Sequence, residues 1–368
     1  MRVLSIVTLV SPSGEYGGPV RVALNQAAAL AGRGHEVRVA GGQRGWDGAP
    51  PAVVDGVPTS LFPVRTVLPG TGFAGLAAPG LQRALPALTA GIDMVHVHVA
   101  RDLVTLPVAA WLARHQIPYV LQTHGMIDAS RNPLAAPLDA LVTRKVLRRA
   151  RRVFYLTSRE QQDVTHVAGP GLTLEELPNG VPTATGSPGR AGSEVLYLAR
   201  LAARKRPVMF VRMARLLLDR FPGASFRLVG PDGGEASAVA AAITAAQDPR
   251  ISWEGPADPA VTGERMARAS VYVLPSVDEP YPMSVLEAMA LGLPVVVTDS
   301  CGLAPLVRVC GGGIVVDDSL EALTEAVAAL LSDPDEATAM GLRGRRHVQE
   351  HLSMTEIARR LENAYSGG

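Results

Sequence analysis

The 368-residue chain has two cysteines, Cys301 and Cys310, too few for a disulfide framework or a set of zinc ligands, which fits a reducing interior. Aromatic residues make up only 4%, and their scarcity beside abundant Ala, Val and Leu favours helices packed on sheets over an all-β sandwich. Net charge is nearly absent as well: 35 Lys and Arg against 34 Asp and Glu leave +1, so nothing global attracts nucleic acid and any anion site has to be local. No apolar run approaches the ~20 residues that span a bilayer. Residues 1–10 are hydrophobic but too short for a signal peptide's apolar region with its cleavage site, and they read as a first strand. A cytoplasmic protein is the expectation. At roughly 100–200 residues per domain, the length suggests about two domains.

What is present is alternation. Runs rich in Val, Leu and Ile at 3–10, 37–40, 94–98, 119–122 and 153–156 are separated by helical patterns at 20–33, 103–114, 133–150 and 158–168. This is the pattern of parallel strands covered by helices on both faces. Residues 182–194, PTATGSPGRAGSE, lack apolar periodicity and read as a linker. The alternation restarts at 195–198, 226–229, 251–253, 271–274, 295–298 and 314–316. Two consecutive doubly wound α/β units are therefore expected, with ligands beyond the carboxyl ends of their strands.

The segment 275–297, PSVDEPYPMSVLEAMALGLPVVV, carries the most chemistry. A strand ends at Leu274, a loop bears Glu279, and Pro282 favours a helix start, which puts Glu287 one to two turns into the helix. The free N–H groups near Met283, Ser284 and Val285 suit a phosphate, with an acid on either side for the hydroxyls of a nucleotide sugar. Taken alone, a surface acid and an ordinary helical Glu fit the same spacing. Arg200 and Lys205 follow another strand, where both could pair with phosphate oxygens or form a solvated basic turn. Gly17-Gly18 between the first strand and a helix allows close backbone approach, or a plain turn. His124 ends a strand, and His96 and His98 share one face of theirs. No third ligand supports a zinc pair. Arg144, Lys145, Arg148, Arg149, Arg151 and Arg152 put six bases within nine residues. In one continuous helix Arg144, Arg148, Arg151 and Arg152 share a broad face, with Leu138, Leu141, Val142 and Val146 lining another. Peripheral contact with an anionic membrane through Arg144–Arg152 thus stands beside a solvated face or the rim of a site for an acidic acceptor.

These residues resemble the signature of the retaining family 4 glycosyltransferases of the GT-B fold. That family carries two glutamates with seven residues between them, followed by Ala-Met-Ala-x-Gly-x-Pro-Val; here Glu279 and Glu287 precede Ala288-Met289-Ala290-Leu291-Gly292-Leu293-Pro294-Val295. Pro280-Tyr281-Pro282 departs from the usual Gly-Phe-Gly or Gly-Phe-Pro. Leu198-Ala199-Arg200-Leu201 with Lys205 is similar to the family's Gly-Arg-Leu…Lys segment, Ala199 replacing its Gly. Thr123-His124-Gly125, the run Asp93-Met94-Val95-His96-Val97-His98, Gly17-Gly18 and Gly255 also match in order, and Ser300-Cys301-Gly302 stands where Gly-Gly is common.

The resemblance implies an α/β chain of two doubly wound Rossmann-like domains facing each other across a cleft. Residues 1–183 would form the acceptor side and 184–354 the nucleotide-sugar donor side, with a helix at 355–368 packing back on the first. It implies a retaining hexosyltransferase that moves a sugar from a UDP- or GDP-sugar, GDP-mannose included, to an acceptor hydroxyl in polysaccharide, glycolipid or secondary-metabolite glycoside synthesis. His124, Glu279, Arg200 and Lys205 would be catalytic. Gly17, Gly18, Met283, Ser284, Val285 and Glu287 would join Arg200, Lys205 and Glu279 in holding the donor, while Glu15, Tyr16 and His98 would face a carbohydrate or glycoside acceptor. No cofactor and no divalent metal is expected: Arg200, Lys205 and the helix N-terminus supply positive charge, and Asp333-Pro334-Asp335 lies between two expected helices. A nucleotide-sugar epimerase, hydrolase or phosphorylase of the same fold, or a non-catalytic nucleotide-sugar-binding protein, is the alternative. A nicotinamide dehydrogenase is not, because neither half has Gly-x-Gly-x-x-Gly after a strand.

Overall fold

In the first strand, Arg2–Val10, side chains alternate between two buried faces: Leu4 and Ile6 enter one core with Val95 and Val97, and Val3 and Val7 enter another with Met94, Val120 and Phe154. A strand buried on both faces has to be apolar throughout, which is why it reads as a continuous hydrophobic run. The computed structural model describes residues 1–13, 17–130, 135–182, 193–258 and 261–367. The chain divides into two units, Met1–Gly180 with Met354–Gly368, and Val181–Ser353. Most of the expected linker, 183–192, lies outside the described residues.

The first unit holds a sheet in the order Leu174–Glu176, Val153–Tyr155, Tyr119–Gln122, Met94–His98, Arg2–Val10, Glu36–Gln43, Val57–Pro63, Val53–Val54. All pairings are parallel except the last. Helices Pro79–Thr89 and Thr105–Arg114 cover one face through Leu81, Leu85, Val108 and Leu112. Helices Gly17–Gly32 and Met354–Ser366 cover the other through Ala23, Ala27, Ile357 and Leu361. Glu362 ties these two helices at the surface, 2.7 Å from both Arg33 and His35. The C-terminal helix is therefore part of the first unit's core, on the strength of one apolar stripe.

The second unit is a six-stranded parallel sheet, ordered Ile251–Trp253, Ala224–Val229, Ser193–Leu198, Val271–Leu274, Val295–Thr298, Gly313–Val316. Numbered along the chain this is 3-2-1-4-5-6, the doubly wound order whose switch point lies between its first and fourth strands.

The structure adds strands that sequence periodicity does not mark. Val57–Pro63 is flanked by prolines and half-exposed, Leu174–Glu176 carries two carboxylates at a sheet edge, and Arg65–Thr66 pairs with Leu76–Ala77 outside the main sheet. Edge strands lose apolar patterning because one flank meets water.

The helix expected at 133–150 is corrected. Residues 131–134 lie outside the described residues, a π-helical stretch Asp139–Thr143 interrupts the rest, and the final helix Arg144–Arg149 stops before extended Ala150. Arg151 and Arg152 lie beyond it, so the four-base face does not exist, and Leu141 is 67% exposed rather than lining a core. The guanidinium groups serve neighbours instead. Arg144 donates to Val167 O and Arg148 to Ala168 O at the end of helix Ser158–Ala168, Arg149 donates to Ala113 O, and Arg152 pairs with Glu175. Cations there satisfy carbonyls that have no partner within the helix and complement its dipole.

Leu361→Ala, which removes a fully buried side chain from the C-terminal helix, is expected to destabilise the first unit by about 2–5 kcal/mol. Hydrogen exchange across residues 354–366 checks this; unchanged protection rejects the docking role of the helix.

Candidate functional site

In the second unit, the strands Ser193–Leu198 and Val271–Leu274 are sheet neighbours, so the loops after them meet at the switch point. The first loop leads to Arg200 and Lys205, and the second to Glu279. Lys205 Nζ lies 2.6 Å from Glu279 Oε2 and Arg204 3.4 Å from it, while Val277 N donates to Arg204 O at 3.0 Å. Glu279 is buried, and its placement depends on Gly302, whose N–H donates to Glu279 O at 2.8 Å. A Cβ on Gly302 would meet Pro280 O at 1.8 Å, so only glycine lets the two loops pass. The family position that departs to Cys301 is filled by a buried thiol, pushed up to about 11 by burial and therefore unreactive near neutral pH.

Pro282 is the N-cap of helix Met283–Leu291, one residue before the helix rather than inside its first turn, and it offers no side-chain acceptor. The leading N–H groups at Met283 and Ser284 are thus left without a side-chain cap, while Val285 N donates to Pro282 O. Two buried tyrosines brace this edge: Tyr197 donates to Arg200 O at 3.1 Å, and the Tyr272 hydroxyl lies 2.7 Å from Ser284 Oγ and 3.0 Å from Leu198 O. Arg200 is exposed and Glu287 half-buried. An ammonium and a guanidinium converge here on one carboxylate, in the loop that leads into the helix. An arriving diphosphate would compete with Glu279 for Lys205.

In the first unit, His98 and His124 come together. His98 Nδ1 is 2.8 Å from His124 Nε2, His98 Nε2 is 3.1 Å from Ser5 Oγ, and the two rings stack with centroids 5.1 Å apart. His96 stacks on His98 at 4.5 Å and shares a 2.8 Å hydrogen bond with Tyr365 of the C-terminal helix. Desolvation lowers His96 and His124 to about 3 and His98 well below its ordinary value, so all three imidazoles are neutral at physiological pH. Neutral rings hydrogen-bond; they do not act as cations. His124 has a left-handed backbone, φ 50°, beside a buried carboxylate, Glu160.

Gly17 and Gly18 open the helix that follows the first strand, and a Cβ on Gly18 would meet nothing within 4 Å. Glu15 and Tyr16 lie outside the described residues. Among the described residues no cluster of three or more His, Cys, Asp or Glu could hold a metal ion. Asp333, of the Asp-x-Asp spacing, caps helix Pro334–His351 by accepting from Glu336 N at 3.0 Å. Among the described residues, no helix is long and apolar enough to cross a membrane. Sequence reasoning missed Arg204, Ser5, Tyr272 and Glu160. Only Glu160 left a local signal, the Thr157-x-x-Glu160 spacing of a capping box.

Two family profiles match the chain, the glycosyl transferase 4-like domain over residues 17–180 and glycosyl transferases group 1 over residues 192–333. The D-inositol 3-phosphate glycosyltransferase of Nocardia farcinica (strain IFM 10152) is 29% identical over 411 aligned positions, covering 100% of this chain and 89% of that relative. Sucrose-phosphate synthase from Thermosynechococcus elongatus shares the fold at a TM-score of 0.76 and 22% identity, over 100% of this chain and 98% of its own. HepE from Anabaena, solved in complex with UDP, does so at 0.77 and 18%, over 100% of both chains.

The neutral histidines fix a pH dependence. Below the ordinary histidine value of 6.5 the unfolded chain binds protons that the folded rings refuse. Stability is therefore flat above about 6.5 and falls as pH drops from there toward 3, by up to about 1.4 kcal/mol per pH unit for each histidine. Denaturant titrations of the whole chain at pH 8, 7, 6 and 5 measure this, and equal stability at pH 7 and pH 5 rejects the assignment.

Proposed function

Since the chain belongs to the group 1, family 4-like glycosyltransferases of the GT-B fold, we propose that it moves a sugar from a nucleoside diphosphate sugar to an acceptor hydroxyl with retention at the anomeric carbon. The observation that carries this reading is the convergence of Lys205 and Arg204 on the buried Glu279, in the loop that leads into the uncapped helix Met283–Leu291, at the switch point of a 3-2-1-4-5-6 sheet. In this reading Arg200, Lys205 and the Met283–Val285 N–H groups take the diphosphate, Glu287 the ribose and Glu279 the hydroxyls of the transferred sugar. Charge develops on the departing diphosphate, and preorganised cations and N–H dipoles stabilise it more than they stabilise the ground state. His124, neutral, accepts or donates a hydrogen bond at the sugar.

UDP- and GDP-sugars are both donors to assay, with UDP first, because the HepE structure holds UDP. The name of the Nocardia relative makes inositol 3-phosphate the first acceptor to try. A nucleotide-sugar epimerase or hydrolase is separated by its products, which form without any acceptor.

Turnover is expected to survive EDTA, because protein groups supply the positive charge; loss restored by magnesium or manganese overturns that. Lys205→Ala and Glu279→Ala are each expected to lower kcat by 10²–10³, about 2.7–4 kcal/mol of transition-state stabilisation. Near-normal turnover in both variants with the working donor and acceptor defeats the assigned site.

A further inference from the structure

His124 is a non-glycine residue with φ 50°, a backbone that an L side chain holds only where its surroundings over-determine it. The turn is closed by Met126 N, which donates to Thr123 O at 2.8 Å, and it is tied to helix Ser158–Ala168 by one side chain. The Glu160 carboxylate, buried, accepts from the Thr123 hydroxyl on one side of His124 and from Gly125 N on the other with the same oxygen, and from Leu156 N at 2.6 Å with its second. Thr157 and Glu160 have the spacing of a capping box, and Thr157 Oγ1 does accept from Glu160 N at 3.2 Å. The return half of the box is altered: the glutamate reaches past the N-cap to Leu156 and across to the neighbouring strand's turn. A helix start has lent its third residue to the loop that carries His124.

We propose that Glu160 is a positioning residue for His124, its carboxylate clamping the Thr123 hydroxyl before that residue and the Gly125 N–H after it, so that the ring stays where His98 meets it. The proposal rests on the reading above, in which His124 faces the transferred sugar. A carboxylate suits the task because all three neighbours are donors and it is acceptor-only. An amide of the same shape would turn an N–H toward at least one of them.

The test uses the whole chain labelled with ¹⁵N-histidine. Wild type is expected to show a hydrogen-bonded imidazole N–H shared by His98 and His124, and Glu160→Gln to lose or shift it while the melting curve stays cooperative. Thr123→Val, which removes one arm of the clamp, is expected to shift it less, and Thr123→Ser to restore it. Should Glu160→Gln fail to fold, the Thr123 pair decides alone. Unchanged imidazole signals in the folded variants overturn the clamp.

Activity, with the UDP- or GDP-sugar that wild type cleaves, adds a double-mutant cycle. Glu160→Gln is expected to lower kcat at least tenfold with donor KM within twofold, and to change kcat less than twofold in a His124→Ala background. A tenfold loss that persists in that background makes Glu160 merely structural. If His124→Ala turns over like wild type, the role of His124 at the sugar fails, while the imidazole signals still decide whether Glu160 holds the ring.

Discussion

In a parallel sheet every strand ends on the same edge, and both units of this chain are built on that constraint. Apolar residues on both faces of each strand leave no place for charged groups within the sheet, so the chemistry is pushed to the loops after the carboxyl ends. Ser193–Leu198 delivers Arg200 and Lys205, Val271–Leu274 delivers Glu279, and their pairing side by side brings a cation and an anion 74 residues apart in the chain to 2.6 Å. In the first unit His98, the last residue of its strand, meets His124 in the loop after Tyr119–Gln122 and Ser5 from within Arg2–Val10.

The two buried glutamates of these edges are partnered in different ways. Glu279 is paired with an ammonium, that of Lys205. Glu160 is satisfied by dipoles, the N–H of Gly125 and Leu156 and the hydroxyl of Thr123. The first partner carries a full charge and the second set carries none. The histidines reach neutrality by a third route, since desolvation, with repulsion between neighbouring imidazoles, disfavours their protons, and hydrogen bonds to Ser5 and Tyr365 hold the rings of His98 and His96.

Arginine is used here as a structural cap. Arg144, Arg148 and Arg149 close the carbonyl ends of helices Ser158–Ala168 and Thr105–Arg114, which explains a basic run that sequence patterning alone presents as a face. The run was legible as charge; its direction was not. The π-helical stretch shifts the preceding apolar residues relative to the bases and the stop at Ala150 separates Arg151 and Arg152 from the others, and neither has a marker in composition.

The alternation of strands and helices in each half, and so the doubly wound class, was written in the apolar runs, because a strand buried on both faces has no freedom to be polar. The glutamate pair, the Lys205 segment and His124 were marked by their resemblance to the family's motifs, since spacing alone fits an ordinary surface acid and a basic turn as well. What the sequence could not hold was distance: that Gly302 must be glycine because the Pro280 carbonyl passes through the space of its side chain, that Ser5 meets His98, that Tyr365 meets His96, and that Glu160 serves a turn 35 residues earlier. These contacts depend on which strand lies beside which, and strand adjacency is settled by the packing of the whole sheet, a quantity no local window of residues contains.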